Sequence, residues 1–126
     1  DVVFMRASEM FLIEAEAKYF LGDEAGSKAI LSELAKKRDS KFVGFTNSGA
    51  AYLEDIYVQR RAELWGEGFR WFDLKRQGRK LDRTGANHSS TVTNGVMTVE
   101  STDSRWQWLI PQSEINANPL CKQNPS

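Results

Sequence analysis

The run Gln59–Gly78, QRRAELWGEGFRWFDLKRQG, alternates ionised side chains with large aromatics within a helix-forming stretch. At about 100° per residue, Arg60, Glu63, Glu67 and Arg70 fall within an arc of roughly 80°, with Leu53, Ile56, Leu64 and Trp71 close beside it. Charge and core therefore share one face. An ionised group taken out of water costs several kcal/mol unless an opposite charge meets it, and two glutamates four residues apart repel unless a cation stands between or beside them. Arg60 and Arg70 bracket Glu63 and Glu67, and Asp73 and Arg76 continue the pattern. These six residues read as a structural charge cluster that locks one helix against its neighbours in a single register. On that reading Glu63→Ala costs about 3 kcal/mol or more, the penalty for a buried charge without its partner. Gly66 and Gly68 weaken the helix by about 1 kcal/mol each relative to alanine. A kink near Glu67 would hand Arg70 and Asp73 to a second, reoriented helical segment.

Upstream, residues 4–21 are dense in helix formers, with Phe4, Ala7, Phe11, Ala15 and Lys18 on one side and Met10, Ile13 and Ala17 near it. Gly22 is placed to end this helix in a left-handed cap, and Asp23 to accept from the first free amides of the next. The second helix is expected over Glu24–Arg38, with Ile30, Leu31, Leu34 and Ala35 inward and Lys28, Lys36 and Lys37 outward. So short a turn makes an antiparallel helical hairpin. With a glycine at the turn and alanines at the contacts, it looks like one tetratricopeptide unit, although no second copy recurs at a fixed spacing. Residues 42–51 carry the glycine, serine and asparagine of a loop, after which Tyr52 opens a third helix.

Downstream, residues 79–104 are polar, and Thr91–Val99 reads as a hairpin around a type I′ turn at Asn94-Gly95. Arg105–Ile110 alternates as an extended segment, Pro111 begins a turn, and Ser113–Asn116 is a short helical piece. Asn118-Pro119 and Asn124-Pro125 close the chain in irregular structure. The fold class is mainly α: a tetratricopeptide-like hairpin plus a long helix, a small β-hairpin excursion and an irregular C-terminus. Residues 1–126 make one domain, with a helical body over 4–78, an insert over 79–104 and a terminal extended segment over 105–126.

Seventeen basic and seventeen acidic residues cancel, which leaves no field to hold nucleic acid or an anionic membrane surface. No stretch approaches the roughly 20 apolar residues that span a bilayer. The single cysteine, Cys121, has no internal disulfide partner. His88, the one histidine, lies in a polar stretch and cannot head a zinc site alone, so neither metal nor cofactor is expected. A glycosidase pair such as Glu63 with Glu67, or Glu67 with Asp73, needs one carboxyl kept protonated. The neighbouring arginines would hold every one of them ionised, so no catalytic residue is assigned. Trp65, Trp71 and Phe72 sit at helical phases and are expected in the core. Trp106 and Trp108 point the same way from an extended segment; packing of both against the helices is expected first, and one of them stacking on a sugar face is the alternative.

Taken together, RASEMFLIEAEA with a following LG, then QRRAELWGEGFRWFDLKRQG, then LIPQSEINANP and finally QNP resemble the C-terminal part of the SusD/RagB family. The match covers nearly the whole chain, with a variable insert between the second and third blocks. Ala35 stands where a basic residue is common in the family, and Ser32 follows Leu31. Family members are several times longer, so the resemblance implies a piece of a longer polypeptide, with a lipidated cysteine and most of the protein upstream. The resemblance implies tetratricopeptide-like hairpins and a non-catalytic surface lipoprotein of the outer membrane. Such a protein delivers oligosaccharides to a TonB-dependent, SusC-like transporter, and its glycan contacts come mainly from upstream regions. A helical scaffold for protein–protein interaction is the first alternative, and a carbohydrate-processing enzyme ranks behind it.

Overall fold

A left-handed glycine and an acidic cap make the first reversal of the chain. In the computed structural model, which describes residues 6–89 and 91–125, α1 spans Ala7–Phe20 and α2 spans Glu24–Arg38. Gly22 holds φ at 84°, a conformation costly to any residue with a Cβ. The Asp23 carboxylate accepts from the Gly26 amide at 2.8 Å, which satisfies the first turn of α2. The expected start of the first helix at Phe4 lies outside the described residues.

The two helices meet through small residues. Ala15 and Ser27 are fully buried, and the Ser27 hydroxyl donates to the Ala15 carbonyl at 2.5 Å. The buried positions of α1 are Ser8, Leu12, Ala15 and Glu16, the i, i+4, i+7, i+8 stripe of an amphipathic helix. Met10 and Ile13, expected near the inner face, are 41% and 46% exposed because they lie off that stripe. In α2, Leu31, Leu34 and Ala35 are buried as expected, and Ile30 packs partly against the same cluster.

The third helix, α3, spans Gly49–Glu63 and so begins three residues before Tyr52. Its first amide, on Gly49, donates to the Glu24 carboxylate of α2 at 2.9 Å, so the neighbouring helix caps it. Tyr52 and Ile56 are fully buried and complete a core with Leu12, Ala15, Leu31, Leu34 and Leu64. The Tyr52 hydroxyl meets Ser27 at 2.9 Å, satisfying both buried hydroxyls.

The long helix does break. Leu64 closes α3, Gly66 and Gly68 take φ of 80° and 83°, and α4 restarts over Phe69–Arg76. The chain divides into two compact units, one running to Phe69 and the other from Arg70 onward.

Beyond α4 in the second unit, β1 (Leu81–Asp82) pairs antiparallel with β2 (Thr98–Val99), Leu81 opposite Val99. Asn94 and Gly95 have φ of 49° and 75°, and the Val96 amide bonds the Thr93 carbonyl at 2.9 Å. The turn expected at Asn94-Gly95 is therefore present, but its flanks are not the sheet. The Thr93 amide is taken by the Ser89 carbonyl at 3.1 Å, which removes 91–93 from any ladder, so β2 takes 81–82 instead. Residues Ser104–Trp106 form a single 3-10 turn, with the Asp103 carboxylate accepting from the Arg105 amide at 2.9 Å. The extended run expected over 105–110 accordingly starts only at Gln107. A short α5, Gln112–Ala117, follows. Among the described residues the fold is mainly helical with one two-stranded antiparallel sheet, the class the sequence predicts.

Candidate functional site

In the first unit the charges converge on Glu63, whose side chain is only 10% exposed. Arg38, at the end of α2, grips it with two bonds: Nε to Oε2 at 2.9 Å and Nη2 to Oε1 at 2.7 Å. From the start of α1, Arg6 Nη2 donates to Glu63 Oε1 at 2.5 Å and to the Glu63 carbonyl at 3.0 Å. Its Nη1 reaches Glu67 Oε1 at 2.8 Å. The cation between the two glutamates thus comes from the residue that precedes another helix. Arg38 first of all, with Ser8 and the charge of Arg6 adding, holds the Glu63 carboxyl below its ordinary 4.5, while burial pushes the other way.

Arg60, 6% exposed, lies 5.3 Å over the Phe69 ring and 4.0 Å from Glu9. Sequence reasoning missed Arg6 and Arg38 as partners of Glu63. They stand 57 and 25 residues away, and no local spacing announces them.

The second unit holds the remaining members of the cluster. Asp73 is buried and accepts from Arg76 Nε at 2.9 Å, and Arg70 lies exposed on the same helix. Elsewhere in this unit, Asp103 binds Arg105 through both carboxylate oxygens at 2.8 and 2.7 Å, which holds its carboxyl at about 2. Hydrogen bonds from Thr84, then from Lys80, bring Asp82 to about 2 as well. A carboxylate held ionised by guanidinium and amide donors has no proton to give at neutral pH.

The tryptophans form a second constellation, wholly within this unit. Trp106 is 3% exposed and its indole N–H donates to the Glu100 carbonyl at 2.6 Å. Trp71 lies against it, ring centroids 4.5 Å apart, and meets Trp108 edge-on at 6.5 Å and 70°. Trp108 is 75% exposed. The two candidates therefore do not point the same way: Trp106 sits in the 3-10 turn, where the two-residue alternation of a strand fails. Trp65 and Phe72, expected in the core, are 83% and 65% exposed. Trp65 falls in the turn after α3, and Phe72 on the side of α4 away from buried Asp73 and Leu74.

An open pocket of about 500 Å³ is lined by Trp71, Phe72, Lys75, Gln107, Trp108 and Asn124. Its far wall is held by the chain end. Asn124 Nδ2 donates to the Trp108 carbonyl at 2.7 Å. The Gln123 amide exchanges two bonds with the Ile110 backbone, at 2.8 and 2.9 Å. The sequence signal for this wall is the pair LIP and QNP, which the fold joins. His88 is exposed in a loop. No group of three metal-ligating side chains occurs among the described residues, nor a helix long and apolar enough to cross a membrane.

Comparison with known proteins gives one answer. The SusD family profile matches residues 1–126. A SusD-like protein of Formosa agariphila is 28% identical over 135 residues, covering 98% of this chain and 24% of that one. Two solved structures superpose closely. A candidate sugar binding protein from Bacteroides vulgatus gives a TM-score of 0.80 at 30% identity, over 96% of this chain and 28% of the other. A SusD superfamily protein from Bacteroides thetaiotaomicron gives 0.79 at 33%, over 97% and 27%. The chain spans about a quarter of the length of these relatives.

Proposed function

Because the chain belongs to the SusD family, we propose that it is the scaffold portion of a non-catalytic, glycan-binding surface lipoprotein that delivers oligosaccharides to a TonB-dependent, SusC-like transporter. On this reading residues 1–126 are the C-terminal segment, with the 79–104 stretch as its variable insert. The lipid anchor in the outer membrane and most of the glycan pocket belong to polypeptide outside it. The observation that carries the scaffold role is the closure of the Glu63 site: both carboxylate oxygens and the adjacent carbonyl are taken by Arg6 and Arg38. On this reading Arg60, Glu63, Glu67, Arg70, Asp73 and Arg76 serve as a structural charge cluster.

Calorimetric titration with a panel of oligosaccharides, on the longer polypeptide and on residues 1–126, tests the placement. The longer protein should bind at least about tenfold more tightly. Equal affinity would put the main pocket in this segment, and release of cleaved product would replace binding with catalysis. A second reading, a docking hairpin, is favoured by Phe20 and Leu21, 64% and 84% exposed beside the α1–α2 turn. Co-purification of the transporter with residues 1–126 alone would support it.

A further inference from the structure

We propose that the pocket beside Trp108 is a subsite for one pyranose ring, and that an acidic sugar is favoured there over a neutral one. This rests on the glycan-binding reading and adds a contact within the segment itself. A pyranose has an apolar face of C–H bonds and an equator of hydroxyls, so a site for it needs an exposed aromatic plane flanked by amide or ammonium groups.

Trp108 supplies the plane. It is 75% exposed, yet it is not loose. Its edge-on contact to Trp71, which lies in turn on buried Trp106, fixes it from behind. Asn124 pins its carbonyl at 2.7 Å. A platform built this way loses little freedom when a ligand settles on it.

The polar groups converge on the same opening. Gln107 is exposed on the pocket wall with no side-chain hydrogen bond to the described residues. Lys75 donates to the Trp106 carbonyl at 3.2 Å, which anchors the ammonium in the pocket and leaves two N–H bonds for a ligand. It has no ion-pair partner among the described residues, and no carboxylate lines the pocket. A single uncompensated cation beside an aromatic plane favours a ring that carries a carboxylate, as a uronic acid does. Trp65, though more exposed, lies outside this pocket and supplies the control.

The test is a titration of the protein with neutral galactose oligomers and galacturonate oligomers, followed on its tryptophan indole N–H resonances. The Trp108 resonance should shift, with Kd on the order of 1 mM for a single-ring contact. Trp108→Ala should weaken binding by about tenfold or more, while Trp108→Phe, which keeps an aromatic face, restores most of it. Lys75→Met should bring galacturonate down to the level of galactose. Trp65→Ala should change nothing. If the Trp108 resonance stays still, or Trp108→Ala binds as well as the wild type with its spectrum otherwise intact, the subsite is wrong. If the longer polypeptide binds glycans while both Trp108 variants behave as wild type, the subsite alone fails. If that polypeptide binds no glycan at all, the function proposed above fails with it.

Discussion

Glu63 sits where three chain segments meet, and its ionisation is tied to folding. Both arginine partners need it charged, and the hydrogen bonds of Arg38 first of all, with Ser8 and the charge of Arg6 adding, hold its carboxyl below 4.5. Because the folded value is the lower one, the stabilisation is fully present above about pH 4.5 and is lost as pH falls through the folded value. Asp82 and Asp103, each near 2 against an ordinary 3.8, lose theirs as pH falls from about 3.8 through about 2. Thermal unfolding followed from pH 7 to about pH 2 should show a plateau and then a decline that begins below about 4.5. Glu63→Gln should flatten the first part of that decline, and an identical profile for the two proteins would separate Glu63 from acid stability. The cost of Glu63→Ala is smaller than sequence reasoning alone gives. The side chains of Arg6 and Arg38 are 35% and 60% exposed, so water solvates them once the carboxylate is gone. About 2 kcal/mol is expected from denaturant unfolding, between a surface pair and a fully buried one.

The elements separate the signals that are local from those that are not. Gly22 and Asp23 marked the α1–α2 turn because a left-handed φ and a capping carboxylate act within four residues. The turn at Asn94-Gly95 was legible for the same reason, and its strand partner was not, since a bond from Thr93 to Ser89 decided it. The direction of Trp108 was likewise hidden behind one 3-10 turn that reset the phase, and the pocket walls at Lys75 and Asn124 come from segments far apart in sequence. The break at 64–68 is a glycine effect, and it gives a clean test. Nothing lies within 4 Å of a Cβ placed on Gly66, so Gly66→Ala pays only the left-handed backbone, about 1 kcal/mol, or roughly 4 °C in Tm. A substitution with no cost would mean that the turn can close without positive φ. Asp23→Ala should cost about 1 kcal/mol through the lost cap, readable as reduced helicity and a lower Tm.

At the scale of the whole molecule, the two units are unequally built. The first buries a contiguous apolar cluster from three helices, including Leu12, Leu31, Tyr52 and Ile56 at zero exposure. The second has Leu74 and Trp106 as its buried apolar side chains among the described residues, and its sheet is two residues long on each strand. Each fully buried large apolar side chain is worth about 1.5–3 kcal/mol, so the first unit should open at a much higher free energy than the second. Native-state hydrogen exchange reads this directly. The amides of Leu31 and Ile56 should be protected by at least about tenfold more than those of Leu74 and Val99, the amount that 1.4 kcal/mol of opening free energy provides. Two units that exchanged at one common rate would instead unfold as a single cooperative body, and burial would then be a poor guide to where this chain gives way.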